Sequence, residues 1–459
     1  MFTTRDILKA TKGKLLQGKK NLFFSSVSTD TRKIKRGELF IPIVGKKFDG
    51  HGFVLEALKS GAAGTLTSKE LEGIPANKTA IKVRNTQRAL QDIARHHRLK
   101  FKVPVIGVTG SSGKTTTKDM IASILSKEKK TLKNEGNLNN EIGVPLTLLG
   151  LNKKHKAAVI EMAMQRAGEI KELASIVLPN VAVITNIGEA HMEFFRSKKK
   201  IAEVKAEILK FLKNRDVAVL NADDGFFGFL KKKAEHSRIL SFGINSKAAV
   251  VAENIKRKKG GVSFTIKFKT KRIDIALPLP GLHNVSNALA AAAAALSVGA
   301  KPSSIEKGLK NFKPASKRMN IIEKDGMRII DDSYNANPSS MKAAISVLSE
   351  EGAVVDRIPP RRIAVLGDML ELGRISRRSH ADVGKFAAKK QIDILLTKGH
   401  LSKETARAAK RGGLKKVFAT RSNEEASRIL KKILRQNDVI LIKGSRGMKM
   451  EEIVENILK

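Results

Sequence analysis

Residues 107–117 read Gly-Val-Thr-Gly-Ser-Ser-Gly-Lys-Thr-Thr-Thr and decide how the middle of this chain folds. They follow the apolar run 103–106 and precede a helical pattern, which is the order strand, loop, helix. Glycines let backbone N–H groups turn toward phosphate oxygens, and the helix N-terminus adds a partial positive charge. The strict motif G-x-x-x-x-G-K-[ST] needs glycine where this chain has Val108, so the stretch is the variant T-G-x-x-G-K-T. It predicts a phosphate loop with Lys114 on the outer phosphates and Thr115 on Mg²⁺, and the alternative is an ordinary Gly/Ser-rich turn.

Length and composition bound the class of protein. Its length of 459 residues predicts about three domains. With 41% apolar and 29% charged residues it is globular, not disordered. The absence of cysteine excludes disulfides, thiolate catalysis and thiolate metal sites. The N-terminal residues lack the apolar core of a signal peptide, and no run approaches the roughly 20 apolar residues of a membrane span. We therefore expect a cytoplasmic enzyme without a membrane span.

The formal net charge of +44 is unusual and raises the possibility of a nucleic-acid partner. The excess is spread over the whole chain, and aromatic residues for base stacking are few, at 4%. Lysine clusters at 198–200, 231–233 and 256–259 are typical of solvated helix ends and hairpin turns. We therefore expect no specific nucleic-acid binding, and a basic nucleic-acid-binding ATPase stays the non-ligase alternative.

The chain divides by pattern into regions 1–100, 101–315 and 316–459. The first alternates short apolar segments with helical stretches and predicts a compact α/β unit. The second contains the phosphate loop and short β-rich runs followed by polar or helical segments, which predict a parallel sheet. Those runs are residues 157–160, 181–185 and 217–220. Period-two alternation over 251–279 predicts an antiparallel piece, and the Ala-rich stretch 284–298 predicts a helix packed closely on a sheet.

The third region shows the most regular alternation of strand-like and helix-like patterns in the chain. Five β-rich runs alternate with helical segments, which predicts a doubly wound, Rossmann-like α/β domain. The runs are residues 328–330, 363–366, 392–396, 416–418 and 439–442. No G-x-G-x-x-G follows its first strand, so we expect no dinucleotide site of its own there.

Three side chains outside the loop are candidates for chemistry. Glu161 directly follows a predicted strand, where a carboxylate faces the ligand crevice of an open α/β sheet, although a glutamate starting a helix is the alternative. His191 lies in a turn after another strand, and a lone histidine is more often structural than a ligand. Lys205 shares a face with the apolar residues of a predicted helix over 201–212. It is either a lysine snorkelling along the helix or a buried, reactive amine.

Nine ordered stretches make this chain resemble the Mur ligase family over essentially its whole length. Besides the phosphate loop, the matches are residues 30–33, 47–51, 136–145, 185–188 with 190–191, 205–208, 280–284 with 287, 331–338, 366–373 and 443–449. The resemblance implies a three-domain ligase whose first domain binds a UDP-sugar peptide, whose central domain binds ATP and whose last domain brings the incoming amine. It also implies an acyl-phosphate intermediate. We expect a monomer, but the sequence leaves the oligomeric state open.

Within the family, segment 332–338 favours the members that add D-alanyl-D-alanine to UDP-N-acetylmuramoyl-tripeptide, the last precursor step of peptidoglycan synthesis. A sister ligase that adds diaminopimelate as the third residue carries Asp-Asn-Pro-Arg in its last domain, which is absent here. The sister ligase stays an alternative. Whether the tripeptide ends in lysine or diaminopimelate is open at this point.

The resemblance also implies roles for individual residues. ATP would be bound by Thr109, Gly110, Ser111, Ser112, Gly113, Lys114, Thr115, Thr116, Asn284, Asn287, Arg318, Asp332 and Tyr334. Two Mg²⁺ ions would be held by Thr115, Glu161, His191 and Lys205, with Lys205 carbamylated by CO₂. The catalytic set would be Lys114, His191, Lys205 and Arg318. Substrates would be bound by Thr31, Arg32, Asp49, Gly50, His51, Asn139, Asn140, Asn335, Lys443 and Ser445.

Overall fold

The computed structural model describes residues 2–45, 48–351 and 360–459. The chain forms two compact units. The first unit comprises Met1–Gly107, Lys129–Met164 and Gly168–Asn180, and the second comprises Val108–Glu128, Gln165–Ala167 and Val181–Lys459. The three-domain boundaries expected at residues 100 and 315 stay a prediction.

The described residues form 22 strands. In chain order they are β1 (Phe2–Thr3), β2 (Lys14–Gln17), β3 (Phe23–Phe24), β4 (Val27–Ser28), β5 (Leu39–Phe40), β6 (Gly64–Thr67), β7 (Thr79–Lys82), β8 (Val105–Thr109), β9 (Thr131–Lys133), β10 (Ala157–Glu161), β11 (Val181–Ile184), β12 (Val217–Asn221), β13 (Arg238–Gly243), β14 (Val250–Lys258), β15 (Gly261–Phe268), β16 (Lys271–Leu277), β17 (Asn320–Lys324), β18 (Met327–Asp331), β19 (Arg362–Gly367), β20 (Ile394–Lys398), β21 (Lys416–Thr420) and β22 (Val439–Lys443).

Sixteen α-helices lie between these strands in the described segments. They are α1 (Thr4–Thr11), α2 (Val54–Lys59), α3 (Thr86–Leu99), α4 (Lys114–Leu125), α5 (Gly143–Leu149), α6 (Glu169–Val177), α7 (Met192–Phe195), α8 (Lys198–Lys205), α9 (Phe227–Lys233), α10 (Leu282–Ser297), α11 (Pro302–Lys310), α12 (Pro338–Glu351), α13 (Ser376–Lys389), α14 (Ser402–Arg411), α15 (Asn423–Ile433) and α16 (Glu451–Leu458). Within the described ranges, none of them combines the length and the apolar character that crossing a bilayer requires.

The first unit is built on a five-stranded sheet with the order β2-β7-β6-β5-β4. All four residues of β6 are buried, as expected of a central strand covered on both faces. Phe24, Leu39, Leu66 and Leu90 pack in the core between this sheet and α3. The same unit holds the parallel pair β9 and β10.

The second unit contains two sheets. In the first, neighbouring strands follow in the order β16-β15-β14-β13-β12-β11-β8. Strands β11 to β14 pair in parallel, while β14, β15 and β16 pair antiparallel, which confirms the antiparallel piece predicted for 251–279. Helix α10 buries its alanines completely from Ala291 to Ala295, because small side chains permit close packing.

The second sheet of this unit has the order β17-β18-β22-β19-β20-β21. Strands β18 to β22 pair in parallel and correspond to the five predicted runs, so the doubly wound pattern is confirmed. Strand β17 is antiparallel to β18 and was not predicted. Its sequence, Asn-Ile-Ile-Glu-Lys, lacks clear alternation because it is a partly exposed edge strand.

The helix predicted over 201–212 differs from the structure. Helix α8 ends at Lys205, and Ala206–Phe211 continue as a 3₁₀ helix. Both helix types place side chains three residues apart on one face, so the apolar pattern alone does not distinguish them. The lysine clusters at 198–200, 231–233 and 256–259 are exposed, as predicted.

Candidate nucleotide and metal site

The loop between β8 and α4 depends on two glycines with positive φ. Gly110 has φ +151° and Gly113 has φ +75°. A Cβ atom at Gly110 would overlap with Thr185 Oγ1, and one at Gly113 would overlap with Asn287 Oδ1. The loop therefore needs glycine for its backbone conformation and for close approach to its neighbours.

The residues that follow β11 hold this loop in place. The Ser111 N–H donates to Asn186 O at 3.0 Å, and the Ser112 N–H donates to Asn186 Oδ1 at 3.0 Å. The Thr185 hydroxyl donates to Ser112 O at 2.6 Å. Thr185 and Asn186 belong to a matched family stretch, but sequence reasoning gave them no role. A polar pair directly after a buried strand was the available signal.

Two lysine amines meet at a single carbonyl of the loop. Lys114 Nζ and Lys205 Nζ each donate to Gly110 O at 2.9 Å. The Lys205 side chain is 1% exposed, so it is buried and does not snorkel to solvent. Burial first, and then the charge of Lys114, hold the pKa of the Lys205 amine well below its ordinary value. A lysine in this environment can be an uncharged nucleophile.

His191 lies in the turn before α7 with φ +60°. Its Nδ1 lies 2.6 Å from Glu371 Oε2, and this hydrogen bond lowers the pKa of the Glu371 carboxyl against the opposing effect of burial. Glu371 lies in the matched stretch 366–373, but the sequence predicted no part for it in the site.

Thr115 lies in the first turn of α4 and is 5% exposed.

Glu161 is the last residue of β10, in the first unit, and is 1% exposed. Its Oε1 accepts a hydrogen bond from Asn139 Nδ2 at 2.8 Å, while its Oε2 is buried without a hydrogen-bond partner among the described residues. A buried carboxylate oxygen without a partner is unfavourable unless a cation or a donor from a ligand occupies that position. Glu161 therefore fits the role of a Mg²⁺ ligand, since Mg²⁺ prefers oxygen ligands.

Within the described ranges, no group of three or more His, Asp or Glu side chains is placed to hold a metal ion. The predicted metal set contains only two such residues, Glu161 and His191. Its other predicted members, Thr115 and Lys205, would supply a hydroxyl and, if Lys205 were carbamylated, a carboxylate.

The predicted base-binding residues lie on α10. Asn284 and Asn287 are 3% and 7% exposed. Asn287 Nδ2 donates to Asn284 Oδ1 at 3.2 Å, and Asn284 Nδ2 donates to Pro280 O at 2.8 Å. Because Asn287 also lies against Gly113, the structure brings the start of α10 to the phosphate loop.

Arg318 and Tyr334 form a stacked pair. The guanidinium carbon of Arg318 lies 3.9 Å from the centre of the Tyr334 ring, and that of Arg446 lies 5.9 Å from it. A cation held over an aromatic face keeps its N–H donors at the edge of the plane, available to an anion.

Lys443 connects several predicted residues of the last sheet. Its side chain is 3% exposed, and Nζ donates to Asp332 Oδ2 at 2.5 Å and to Asn335 O at 2.8 Å. The other oxygen of Asp332 accepts from the Met319 N–H at 3.2 Å. Ser445 Oγ accepts from the Leu370 N–H at 2.8 Å. The structure therefore brings Asp332, Asn335 and Lys443 together.

The predicted substrate residues of the first unit form a charged loop. Asp49 accepts from Lys69 Nζ at 2.5 Å and from His51 Nδ1 at 2.6 Å, and these bonds lower the pKa of its carboxyl. The Ser68 N–H donates to His51 Nε2 at 3.1 Å, so the ring proton is on Nδ1. Gly50 is required because a Cβ would lie 2.6 Å from Ile43 N.

The remaining predicted residues of this unit lie in turns. Thr31 begins a short 3₁₀ helix, and the Arg32 side chain, 84% exposed, pairs with Asp30 at 2.9 Å. Asn140 Oδ1 accepts from the Gly143 N–H at 2.9 Å at the start of α5. Lys47, part of the matched stretch 47–51, lies outside the described residues.

Comparison with known proteins gives matches along the chain. The Mur ligase middle domain model matches residues 108–295, the Mur ligase, glutamate ligase domain model matches 317–446, and the Mur ligase family, catalytic domain model matches 24–98. The chain is 38% identical to the UDP-N-acetylmuramoyl-tripeptide–D-alanyl-D-alanine ligase of Bacillus subtilis, over 100% of this chain and 98% of that protein.

Solved structures of ligases with similar names also match the chain along nearly its whole length. MurF from Acinetobacter baumannii superposes with a TM-score of 0.91 at 33% identity, covering 100% of this chain and 98% of that one. MurF ligase from Thermotoga maritima, solved in complex with ADP, superposes with a TM-score of 0.83 at 28% identity, covering 96% and 98% of the two chains.

Proposed function

Because this chain belongs to the Mur ligase family, we propose that it adds D-alanyl-D-alanine to UDP-N-acetylmuramoyl-tripeptide with consumption of ATP. The observation that carries the proposal is the 38% identity to a ligase of that name along the entire chain. The predicted α/β architecture, with a central parallel-sheet ATPase domain and a Rossmann-like last domain, is the fold of these relatives. The enzyme is thus an ATP-dependent ligase of peptidoglycan precursor synthesis.

The reaction proceeds in two steps that balance without a covalent enzyme intermediate. A carboxylate oxygen of the tripeptide attacks the γ-phosphorus of ATP, which releases ADP and leaves an acyl phosphate. The amine of D-alanyl-D-alanine then attacks the carbonyl carbon, phosphate leaves, and the amine loses a proton as the amide forms. Phosphoryl transfer of this kind depends mainly on positioning and on compensation of negative charge.

The nucleotide belongs at the phosphate loop in this proposal. The loop residues Thr109 to Thr116 cradle the phosphates, and Lys114 compensates charge on the outer ones. Asn287 lies against Gly113 of this loop and donates to Asn284, and the two side chains suit the adenine. Asp332 accepts from the ribose hydroxyls, and Arg318, held on Tyr334, donates to the γ-phosphate.

In this proposal Thr115, Glu161, His191 and a carbamylated Lys205 would hold two Mg²⁺ ions. When bound, the ions would neutralise charge on the transferring phosphoryl group. The unprotonated Lys205 amine attacks CO₂, a new N–C bond forms, and one proton is released, so that the side chain ends in a carboxylate. The buried amine supports this step because its low pKa favours the uncharged nucleophile. Incubation with ¹³C-bicarbonate should give a carbamate ¹³C signal that is missing in Lys205→Met; the same spectrum for both proteins would refute the modification.

The substrate residues divide between the two units. In the first unit, Thr31, Arg32, Asp49 and Gly50 bind the UDP-sugar, and His51 keeps Asp49 in position. Asn139 and Asn140 bind the peptide portion. In the second unit, Asn335, Lys443 and Ser445 belong to the dipeptide side. We further propose a cytoplasmic monomer without specific affinity for nucleic acid.

Phosphate release from ATP tests the function directly. The full chain is assayed with UDP-N-acetylmuramoyl-tripeptide carrying either lysine or diaminopimelate, with and without D-alanyl-D-alanine. We expect turnover that depends on the dipeptide with at least one tripeptide. Turnover with UDP-N-acetylmuramoyl-dipeptide and a single amino acid instead would identify the sister ligase. Nucleic-acid binding that persists at physiological salt would favour the basic ATPase, whereas weak binding lost on adding salt reflects counterion release alone.

A further inference from the structure

His191 and Glu371 belong to two chain segments that meet at a tight junction. The Glu193 N–H donates to Glu371 O at 3.0 Å, and His191 Nδ1 lies 2.6 Å from Glu371 Oε2. A Cβ atom at Gly373 would lie 3.0 Å from Glu193 Cα. One backbone bond, one side-chain bond and one close approach therefore fix residues 371–373 against residues 191–193.

The backbone at this junction is unusual on both sides. His191, Glu371 and Gly373 have φ values of +60°, +61° and +54°. A left-handed conformation at a residue other than glycine is unfavourable and persists only where surrounding contacts hold it. Here His191 and its partner Glu371 both have this conformation, and the two residues are bonded to each other.

The hydrogen bond decides which ring nitrogen of His191 carries a proton. A carboxylate oxygen accepts hydrogen bonds, so the Nδ1 facing Glu371 must be the protonated one. In the neutral ring, Nε2 then carries the lone pair. A metal-binding histidine is commonly oriented in this way, by a carboxylate or a carbonyl on its other nitrogen.

We propose that Glu371 is a positioning residue for catalysis: it fixes the His191 ring with the proton on Nδ1 and thereby presents Nε2 to the metal. This inference rests on the proposed function. Because Glu371 follows β19 whereas His191 follows β11, the bond also links a loop of the last sheet to a loop of the phosphate-loop sheet. His191 is correctly oriented only when the 371–373 segment is docked.

The tautomer of His191 gives a readout that does not depend on activity. The full chain is labelled with ¹⁵N-histidine, and the ring signals are recorded at about pH 8.5, two units above the ordinary histidine pKa. The signal of His191 among the nine histidines is assigned by its loss in His191→Gln. We expect the Nδ1–H tautomer in the wild type, a mixture of tautomers in Glu371→Ala, and recovery in Glu371→Gln, whose amide oxygen can still accept from Nδ1.

The Mg²⁺ dependence of turnover provides the second readout. In Glu371→Ala the Mg²⁺ concentration for half-maximal activity should rise about 10- to 100-fold, with a smaller loss of kcat at saturating Mg²⁺. Glu193→Gln is the matched control, because it removes a carboxylate at the same junction and leaves the backbone bond to Glu371 intact. It should keep the wild-type tautomer and the wild-type Mg²⁺ dependence.

The outcomes separate this inference from the proposed function. An Nε2–H tautomer in the wild type, or an unchanged tautomer and Mg²⁺ dependence in Glu371→Ala, overturns the role of Glu371 even if the wild type is fully active. Wild-type protein without dipeptide-dependent turnover overturns the proposed function, and the tautomer measurement still decides the pairing. Gly373→Ala, which crowds Glu193 without removing the carboxylate, should weaken the Nδ1–H preference to a smaller degree.

Discussion

Lys205 and Lys443 are almost equally buried, at 1% and 3% exposure, but their surroundings differ. Lys443 donates to the carboxylate of Asp332 at 2.5 Å, a buried ion pair at the last sheet. Lys205, beside the phosphate loop, donates to the carbonyl of Gly110 and, among the described residues, forms no ion pair with a carboxylate. A buried amine without a counter-charge loses its proton readily, whereas a buried ion pair holds two side chains against each other. The first arrangement suits a reactive group and the second suits a structural contact.

The largest effect should come from removing the reactive amine. In Lys205→Ala we expect the dipeptide-dependent kcat to fall at least ~1,000-fold, about 4 kcal/mol of transition-state stabilisation, because the proposed carbamate can no longer form. Formate or another short carboxylate should restore part of the rate. Phosphate release with and without the added anion measures both effects, and full activity of the variant would rule out a catalytic role for Lys205.

The ion pair should matter for stability. Lys443→Met leaves the Asp332 carboxylate mostly buried without its partner, and we expect a loss of about 3 kcal/mol in the free energy of unfolding. Urea unfolding measures this value, and the double variant Lys443→Met/Asp332→Asn should recover part of it. Lys200→Met, which breaks a surface pair with Glu203, is the control and should cost less than about 1 kcal/mol. Equal losses in the two single variants would contradict the comparison.

A third buried basic side chain, His97 in the first unit, should make the stability of the protein depend on pH. Its ring lies between Phe2 and Phe101, and Nε2 donates to Leu151 O at 2.7 Å. Burial lowers the pKa of His97 to about 4. In the unfolded chain the pKa of His97 is near 6.5, so below that pH the unfolded chain binds more protons than the folded one. The contribution of neutral His97 to stability is therefore present above pH ~6.5 and is lost as the pH falls toward 4.

We expect this residue to account for about 2 kcal/mol of stability lost between pH 7.5 and 4, after allowance for solvent screening. Urea unfolding at several pH values should show a flatter profile for His97→Gln than for the wild type. His236→Gln serves as the control, because His236 is 84% exposed and should leave the profile unchanged. A profile for His97→Gln that parallels the wild type would assign the acid sensitivity to other groups.

The smallest change in stability should come from replacing Lys205 with an uncharged side chain of similar length. Lys205→Met removes a buried amine and one hydrogen bond but retains a side chain of similar length, so we expect the unfolding free energy to change by less than about 1 kcal/mol. The variant should be inactive and yet unfold at nearly the same urea concentration as the wild type. A loss as large as that of Lys443→Met would mean that Lys205 is held as a charged structural group.

Much of the fold follows from local pattern. The five β-rich runs predicted the parallel strands of the last sheet, and the alternation over 251–279 predicted the antiparallel strands. The two kinds of strand can be told apart because buried parallel strands and exposed hairpins have different hydrophobic periods. The edge strand β17 and the change to 3₁₀ geometry after Lys205 were missed, since their local sequences are compatible with more than one structure. For the site, the motif residues were predicted, whereas Glu371, Thr185 and Asn186 were given no role, because each contacts a residue far away in the sequence.

Glycine spacing and ordered motifs are local properties of the chain, so the family, the phosphate loop and the positions of both lysines follow from the sequence. The surroundings of the two lysines do not, because the groups that contact each amine come from segments far away in the chain. Gly110 O and the charge of Lys114 come from the loop some 90 residues before Lys205, and Asp332 lies 111 residues before Lys443. A sequence pattern can place an amine in a core, but the partner that the fold brings to it determines whether it reacts or remains a charge.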